Sequence, residues 1–197
     1  QYHRHAHTET DGQKRFEEAA SLTYNLQDND NYMFNASLNL FHYNDPARRF
    51  YAELYTDEFP STITDRREAG HDRGLTPSID LYYQHNLKKN QFLALNVVGT
   101  FIGTKNRNTY AEYLNDEKIV DYQSGVNGKK YSIILEGIYE KGFDNGGRLS
   151  TGIKHAQGYT DNIYDGTLYF QTKMKQADTY GYIQYQGRWK KLGYNIG

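Results

Sequence analysis

Apolar and polar residues change places with a period of two, again and again along this chain. Ile79, Leu81 and Tyr83 alternate with Ser78, Asp80, Tyr82 and Gln84; Leu93, Leu95, Val97 and Phe101 then run against Ala94, Asn96 and Thr100. Tyr131, Ile133, Leu135 and Tyr139 repeat the rhythm against Ser132, Glu136 and Glu140. Successive side chains of a strand point to opposite faces, so each segment carries one apolar and one largely polar face. Further segments of the same kind are read at 16–26, 32–43, 148–157, 180–189 and 192–196. No stretch has a helical period; 65–72 comes nearest and is short and charged. A chain built this way either packs one sheet on another or wraps a sheet around a polar interior.

The connections favour the second arrangement. Short ones at 27–31, 87–91, 142–147 and 190–191 alternate with long ones at 44–77, 104–130 and 159–178. In an antiparallel up-and-down sheet, alternate connections emerge at opposite ends. One end then carries tight turns and the other long loops, which is the asymmetry of an outer-membrane barrel. Segments 50–55, 119–122 and 167–174 also alternate. They are expected to extend strands beyond the membrane or to form hairpins above it, with 50–55 placed in the loop region.

Composition supports this reading. A hydrophobic fraction of 37% is low for a water-soluble β protein with a packed core, but suits a wall whose alternate residues meet water. The apolar stretches run about 10 residues, enough for a tilted strand to cross a bilayer, and no run is long enough for a transmembrane helix. Twenty Tyr beside one Trp fit aromatic girdles at membrane interfaces. A net charge of -1 offers no basic face for nucleic acid, and the absence of Cys removes disulfides and thiolate metal sites. Gln1 to His5 and Leu192 to Gly197 read as the interior of a longer pattern, so a segment of a longer chain is expected.

The fold class expected is therefore all-β: an antiparallel up-and-down transmembrane β-barrel, here a partial segment of about eight or nine strands. Residues 1–197 would form one barrel segment in the bacterial outer membrane, with outer-membrane lipid as its surroundings. The alternative is a soluble secreted β-sandwich serving as a ligand-binding or adhesion module.

Several stretches carry a family likeness. Leu75-Thr76-Pro77-Ser78-Ile79-Asp80-Leu81-Tyr82-Tyr83 with Leu93-Ala94-Leu95-Asn96 resembles the barrel of TonB-dependent outer-membrane receptors of Bacteroides-type bacteria. Gly128-Lys129-Lys130-Tyr131-Ser132 with Glu136-Gly137-Ile138-Tyr139-Glu140-Lys141, and 149–155 with 159–162, are similar. So is the hairpin pattern from Thr179 to Gly197. The likeness covers roughly residues 75–197 and rests on strand patterns, not catalytic signatures. It implies a barrel of about 22 strands, a plug, a TonB-type energy-transducing complex and a surface lipoprotein as partners, and import of a scarce siderophore, haem, glycan or similar nutrient.

No chemistry-bearing motif competes with a transport reading. There is no nucleophile elbow, zinc-protease helix or phosphate-cradling loop, so no enzyme and no cofactor is expected. His3, His5 and His7 would share a strand face, but an accidental His-rich strand end is favoured over a metal site. Glu136 and Glu140 are better explained by solvation in a lumen than by catalysis. The candidate ligand-binding residues are Tyr110, Tyr113, Tyr122 and Tyr164, whose rings would stack on a flat ligand. Packing between strand extensions is the plainer role for them.

Overall fold

Nine strands follow one another along the chain: β1 Arg4–Thr10, β2 Phe16–Asp28, β3 Tyr32–Thr56, β4 Thr64–Leu87, β5 Gln91–Leu114, β6 Glu117–Gly142, β7 Arg148–Gly166, β8 Phe170–Trp189 and β9 Leu192–Ile196. The computed structural model describes residues 4–10, 14–57, 62–189 and 192–197. The 190–191 turn and His3 lie outside the described residues.

All nine strands form one antiparallel sheet in which β3 to β9 pair in chain order. β1 and β2 lie end to end along the free side of β3. Arg4 opposes Thr56 and Asp28 opposes Tyr32, in one unbroken register. The sheet is thus an up-and-down meander, as the alternation predicts. No pairing joins its two edges among the described residues.

The structure departs from expectation in strand length. β3 to β6 run 24 to 26 residues each. At about 3.3 Å per residue this is about 80 Å, well over twice the hydrocarbon thickness of a bilayer. The connections expected as long loops at 44–77, 104–130 and 159–178 are mostly continuous strand. They close in tight turns at Asn115–Asp116 and at 167–169. Segment 65–72 is strand, and 50–55 pairs with both β1 and β4. The physical reason is that these extensions are wet on both faces. Ladder hydrogen bonds hold them, while the apolar alternation that announces a strand fades.

Turn chemistry fixes both ends. Asn115 and Asp116 take φ of 48° and 66°, the left-handed pair a two-residue hairpin needs for its twist to match its strands. At the other end Gly146 sits at φ 78°, and Phe143 N donates to Gly147 O at 2.8 Å.

Tyrosine and glycine work together across strands. Tyr43 opposes Gly74, Tyr182 opposes Gly152 and Tyr194 opposes Gly187. In each pair the ring lies across the glycine, where an added Cβ would fall inside van der Waals contact. The ring thereby covers backbone that glycine leaves bare. Gly74→Ala is expected to displace the Tyr43 ring and its hydroxyl bond to Asp72 Oδ1 (3.2 Å), costing about 1 kcal/mol in equilibrium unfolding. An unchanged midpoint would show that the ring moves freely.

Candidate functional site

Cross-strand register sorts the residues of β2 to β8 into two faces. On one face, Leu22, Leu38, Ile79, Gly99 and Ile133 lie in a row. The neighbouring rows are Tyr24, Ala36, Leu81, Val97 and Leu135, then Leu26, Phe34, Tyr83, Leu95, Gly137 and Ile153. These apolar side chains are open to the surroundings: Leu22 is 67% exposed, Leu38 50%, Leu95 44% and Ile153 61%. The opposite face carries Ser21, Asn39, Ser78, Thr100 and Ser132 in one row. Asn35, Tyr82, Asn96, Glu136, Lys154 and Tyr180 form another. Several of these, Tyr82, Asn96 and Glu136 among them, are half-buried. The sheet is therefore curled with its polar face inside and its apolar face out. Among the described residues, the buried hydrophobic ones are Ala52 and Ala94 alone.

Aromatic rows bound the apolar band on the outer face. At one limit Phe101 and Tyr131 lie 4.8 Å apart, with Tyr159 6.3 Å beyond Tyr131. At the other, Tyr32 and Tyr83 flank His85 at 6.3 and 6.0 Å, and Tyr185 lies 6.2 Å from both Phe143 and Tyr194. Their polar tips are bonded: Tyr83 Oη is 2.8 Å from His85 Nδ1, and Tyr139 donates to Gln91 Oε1 at 2.6 Å. An amphipathic ring with its hydroxyl satisfied suits a boundary between apolar and wet surroundings.

Inside the curl, charges are matched. Lys154 Nζ is 3.7 Å from Glu136 Oε2, and Arg148 pairs with Glu140. Each carboxylate that might have formed a catalytic pair is thus engaged with its own cation. Asn96 Oδ1 is buried without a hydrogen-bond partner among the described residues.

Beyond the band, the strand extensions carry a recess on the inner face and one beside Tyr51 and Arg67 on the outer face. The inner one has a volume of about 290 Å³ and is lined by Arg48, Phe50, Glu68, Asn108, Tyr110 and Tyr122, among others. Phe50 reaches it because of a bulge. Register slips between Asp45 and Arg48, so Pro46 and Ala47 together oppose His71 and every later side chain of β3 changes face. Proline fits there because the bulge needs no ladder N–H. Beside the recess Arg66 Nη2 is 3.1 Å from Glu112 Oε1, to which Tyr110 also donates, and the guanidinium lies 5.4 Å above the Tyr110 ring. The Tyr110 bond, and after it Arg66, hold the Glu112 carboxyl below the usual carboxylate range against the opposing effect of burial. Burial, reinforced by Glu112, raises the Tyr110 phenol.

The outer recess, about 480 Å³, includes Tyr51, Arg67, Ala111, Lys118 and Asp121. Arg67 stands 4.5 Å over Tyr113 and 6.0 Å from Tyr51. Tyr51 Oη lies 2.9 Å from Glu53 Oε1 and 3.2 Å from Asp65 Oδ1. Burial, with these bonds, pushes its pKa up to about 12.

The structure brings together two of the four candidate tyrosines. Tyr110 and Tyr122 are register partners at the inner recess. Tyr113 points to the other face, and Tyr164 stacks on Phe170 at 4.1 Å and 13°. Phe50, Arg66 and Glu112 were missed. The alternation of 50–55 was visible, but the bulge that turns Phe50 inward was not. His3 lies outside the described residues, so the three-histidine arrangement is not described.

No protein-family model matches the sequence, and no curated protein matches it significantly. Among solved structures, the chain is similar over 87% of its length to the ferric yersiniabactin uptake receptor FyuA from Yersinia pestis, with 8% identity and a TM-score of 0.40. Over 81% of its length it is similar to the ferric citrate transporter FecA in the unliganded form, with 7% identity and a TM-score of 0.41. It spans 35% of the first chain and 26% of the second.

Proposed function

We propose that this chain is part of the wall of an outer-membrane β-barrel receptor of the TonB-dependent kind, of the Bacteroides type that the sequence resembles. The observation that carries the reading is the exposed apolar band, bounded by aromatic rows and backed by a half-buried polar face. A water-soluble protein leaving that band bare would aggregate; in lipid it is the required surface. The end with turns at 29–31, 88–90 and 143–147 faces the periplasm, and the long extensions stand outside the cell. The inner recess, with Phe50, Tyr110 and Tyr122 beside the Arg66–Glu112 pair, offers rings and paired charge to a siderophore, haem, glycan or similar ligand on its way to the lumen. A TonB-type complex supplies the energy and a surface lipoprotein assists capture.

The absence of Cys gives a direct test of orientation. Asp116→Cys, in the turn of an extension, is expected to react with a membrane-impermeant maleimide on intact cells. Lys89→Cys, in a turn at the opposite end, should react only after the outer membrane is opened. Heat-modifiable migration of the protein in detergent should accompany this. Equal labelling at both positions, or a detergent-independent soluble protein, would overturn the reading in favour of a secreted module.

A further inference from the structure

The outer face changes character abruptly past the aromatic row of Phe101, Tyr131 and Tyr159. Beyond the Leu75–Gly103 pair, the next positions on β4 and β5 are Arg73, opposite Lys105, and His71, opposite Arg107. These four residues line a recess of about 190 Å³. Lys129 lies alongside on β6, opposite Gly103. Among the described residues, no ion pair occupies Arg73, Lys105, Arg107 or Lys129. His71 Nε2 is 3.0 Å from Asn44 Oδ1. Nearby carboxylates on this face stand on flanking strands. Glu18 is 3.4 Å from His42 Nδ1; Asp161, the register partner of Lys129, accepts from Gln171 Nε2 at 2.7 Å; and Asp165 opposes Gly125.

Below the cations lies an apolar recess of the outer face. It has a volume of about 800 Å³, and its walls include Leu38, Leu40, Pro77, Ile79, Phe101 and Ile133. It opens because β5 carries Gly99 one row inside the Phe101–Tyr131 limit of the band, where a Cβ would stand 3.0 Å from Ile79 Cγ2. Gly99 and Lys105 are six residues apart, about 20 Å along the strand. The apolar recess thus lies on the band side of the aromatic row and the cations on its far side.

We propose that this surface holds a phosphorylated lipid of the surrounding leaflet, and the proposal rests on the membrane reading above. Its acyl chains fill the recess over Gly99 and its phosphate sits among Arg73, Lys105, Arg107 and Lys129. Guanidinium forks match phosphate oxygens in pairs, and ammonium groups add point charge. A ligand with apolar chains and an anionic head satisfies both recesses.

The test measures selectivity for spin-labelled phosphatidic acid over phosphatidylcholine, with the protein inserted in phosphatidylcholine vesicles. The native sequence should show a clear preference, and the combined variant Arg73→Gln, Lys105→Gln, Arg107→Gln should lose it by about tenfold or more. Gly99→Leu, which fills the apolar recess and leaves the cations intact, should also lower it. Inorganic phosphate should not displace the lipid; displacement would mean that the site takes free phosphate and would overturn the lipid assignment. Equal selectivity in the native and triple-variant proteins would overturn it too. Failure of the membrane reading would show differently, as no insertion and no heat-modifiable migration, whereas failure of this site alone leaves an inserted protein without lipid preference.

Discussion

Leu95→Arg should destabilise the protein by about 2–4 kcal/mol when unfolding is measured from phosphatidylcholine vesicles. Leu95 lies in the central rows of the outer apolar band and is 44% exposed. A Cβ at its cross-strand neighbour Gly137 would stand 3.4 Å from Leu95 Cδ2, so no charged partner waits there to receive a guanidinium. The control is Asn39→Arg on the inner face, between Ser21 and Ser78 and exposed. It should change stability by no more than about 0.5 kcal/mol. Leu38→Arg, adjacent in sequence to the control but on the outer face and two rows from Leu95, should fall between the two. In the isolated chain Leu38 and Asn39 are both open to the surroundings, so only lipid can separate them. Equal cost at all three positions would remove the bilayer from the account.

How much of this was visible in the residues depends on where each strand runs. Within the band, Ile79, Leu81 and Tyr83 lie on the apolar face while Ser78, Asp80 and Tyr82 lie on the polar one, and the two-residue period reports that contrast faithfully. Beyond the band both faces meet water, so Arg66, Glu68 and Gly70 have no apolar partners to alternate with. The extensions therefore looked like loops, although β4 and β5 stay paired out to Thr64 and Leu114. Pro46 is the second source of error. A proline inside a strand pattern signals an interruption, and here it marks a bulge after which pairing resumes with faces exchanged. That exchange puts Phe50, Ala52 and Leu54 on the inner face with Arg66 and Glu112. Ala52 is small enough to be fully covered there, at 4% exposure. Of the candidate tyrosines, spacing alone could set Tyr113, three residues on from Tyr110 along β5, on the opposite face. It could not pair Tyr110 with Tyr122 across the Asn115–Asp116 turn, because that pairing needs a second slip beside Glu112, which leaves Ile119 unpaired.

The Arg66–Glu112–Tyr110 cluster shows what the extensions use in place of an apolar core. Glu112→Ala removes the acceptor of two bonds at once, from Arg66 and from Tyr110. It leaves a guanidinium whose Nε is already buried without a partner. Hydrogen bonds to charged groups contribute about 1.5–3 kcal/mol each. Arg66 is 39% exposed, and water recovers part of its loss. A net cost of about 2 kcal/mol follows, and Glu112→Gln should cost less because it keeps an acceptor. Since Glu112 is held below its ordinary value of 4.5, its contribution is complete above that value and disappears as pH falls through the lowered one. The readout should be local. Amide exchange in 110–122 should accelerate in the alanine variant at neutral pH, while the band strands around Leu95 stay protected. On acidification the native extension should approach the variant's exchange rate, and the variant itself should lose this part of its pH dependence. Acceleration spread evenly over both regions would mean that extension and band unfold as one unit, and that the cluster is not a separate support.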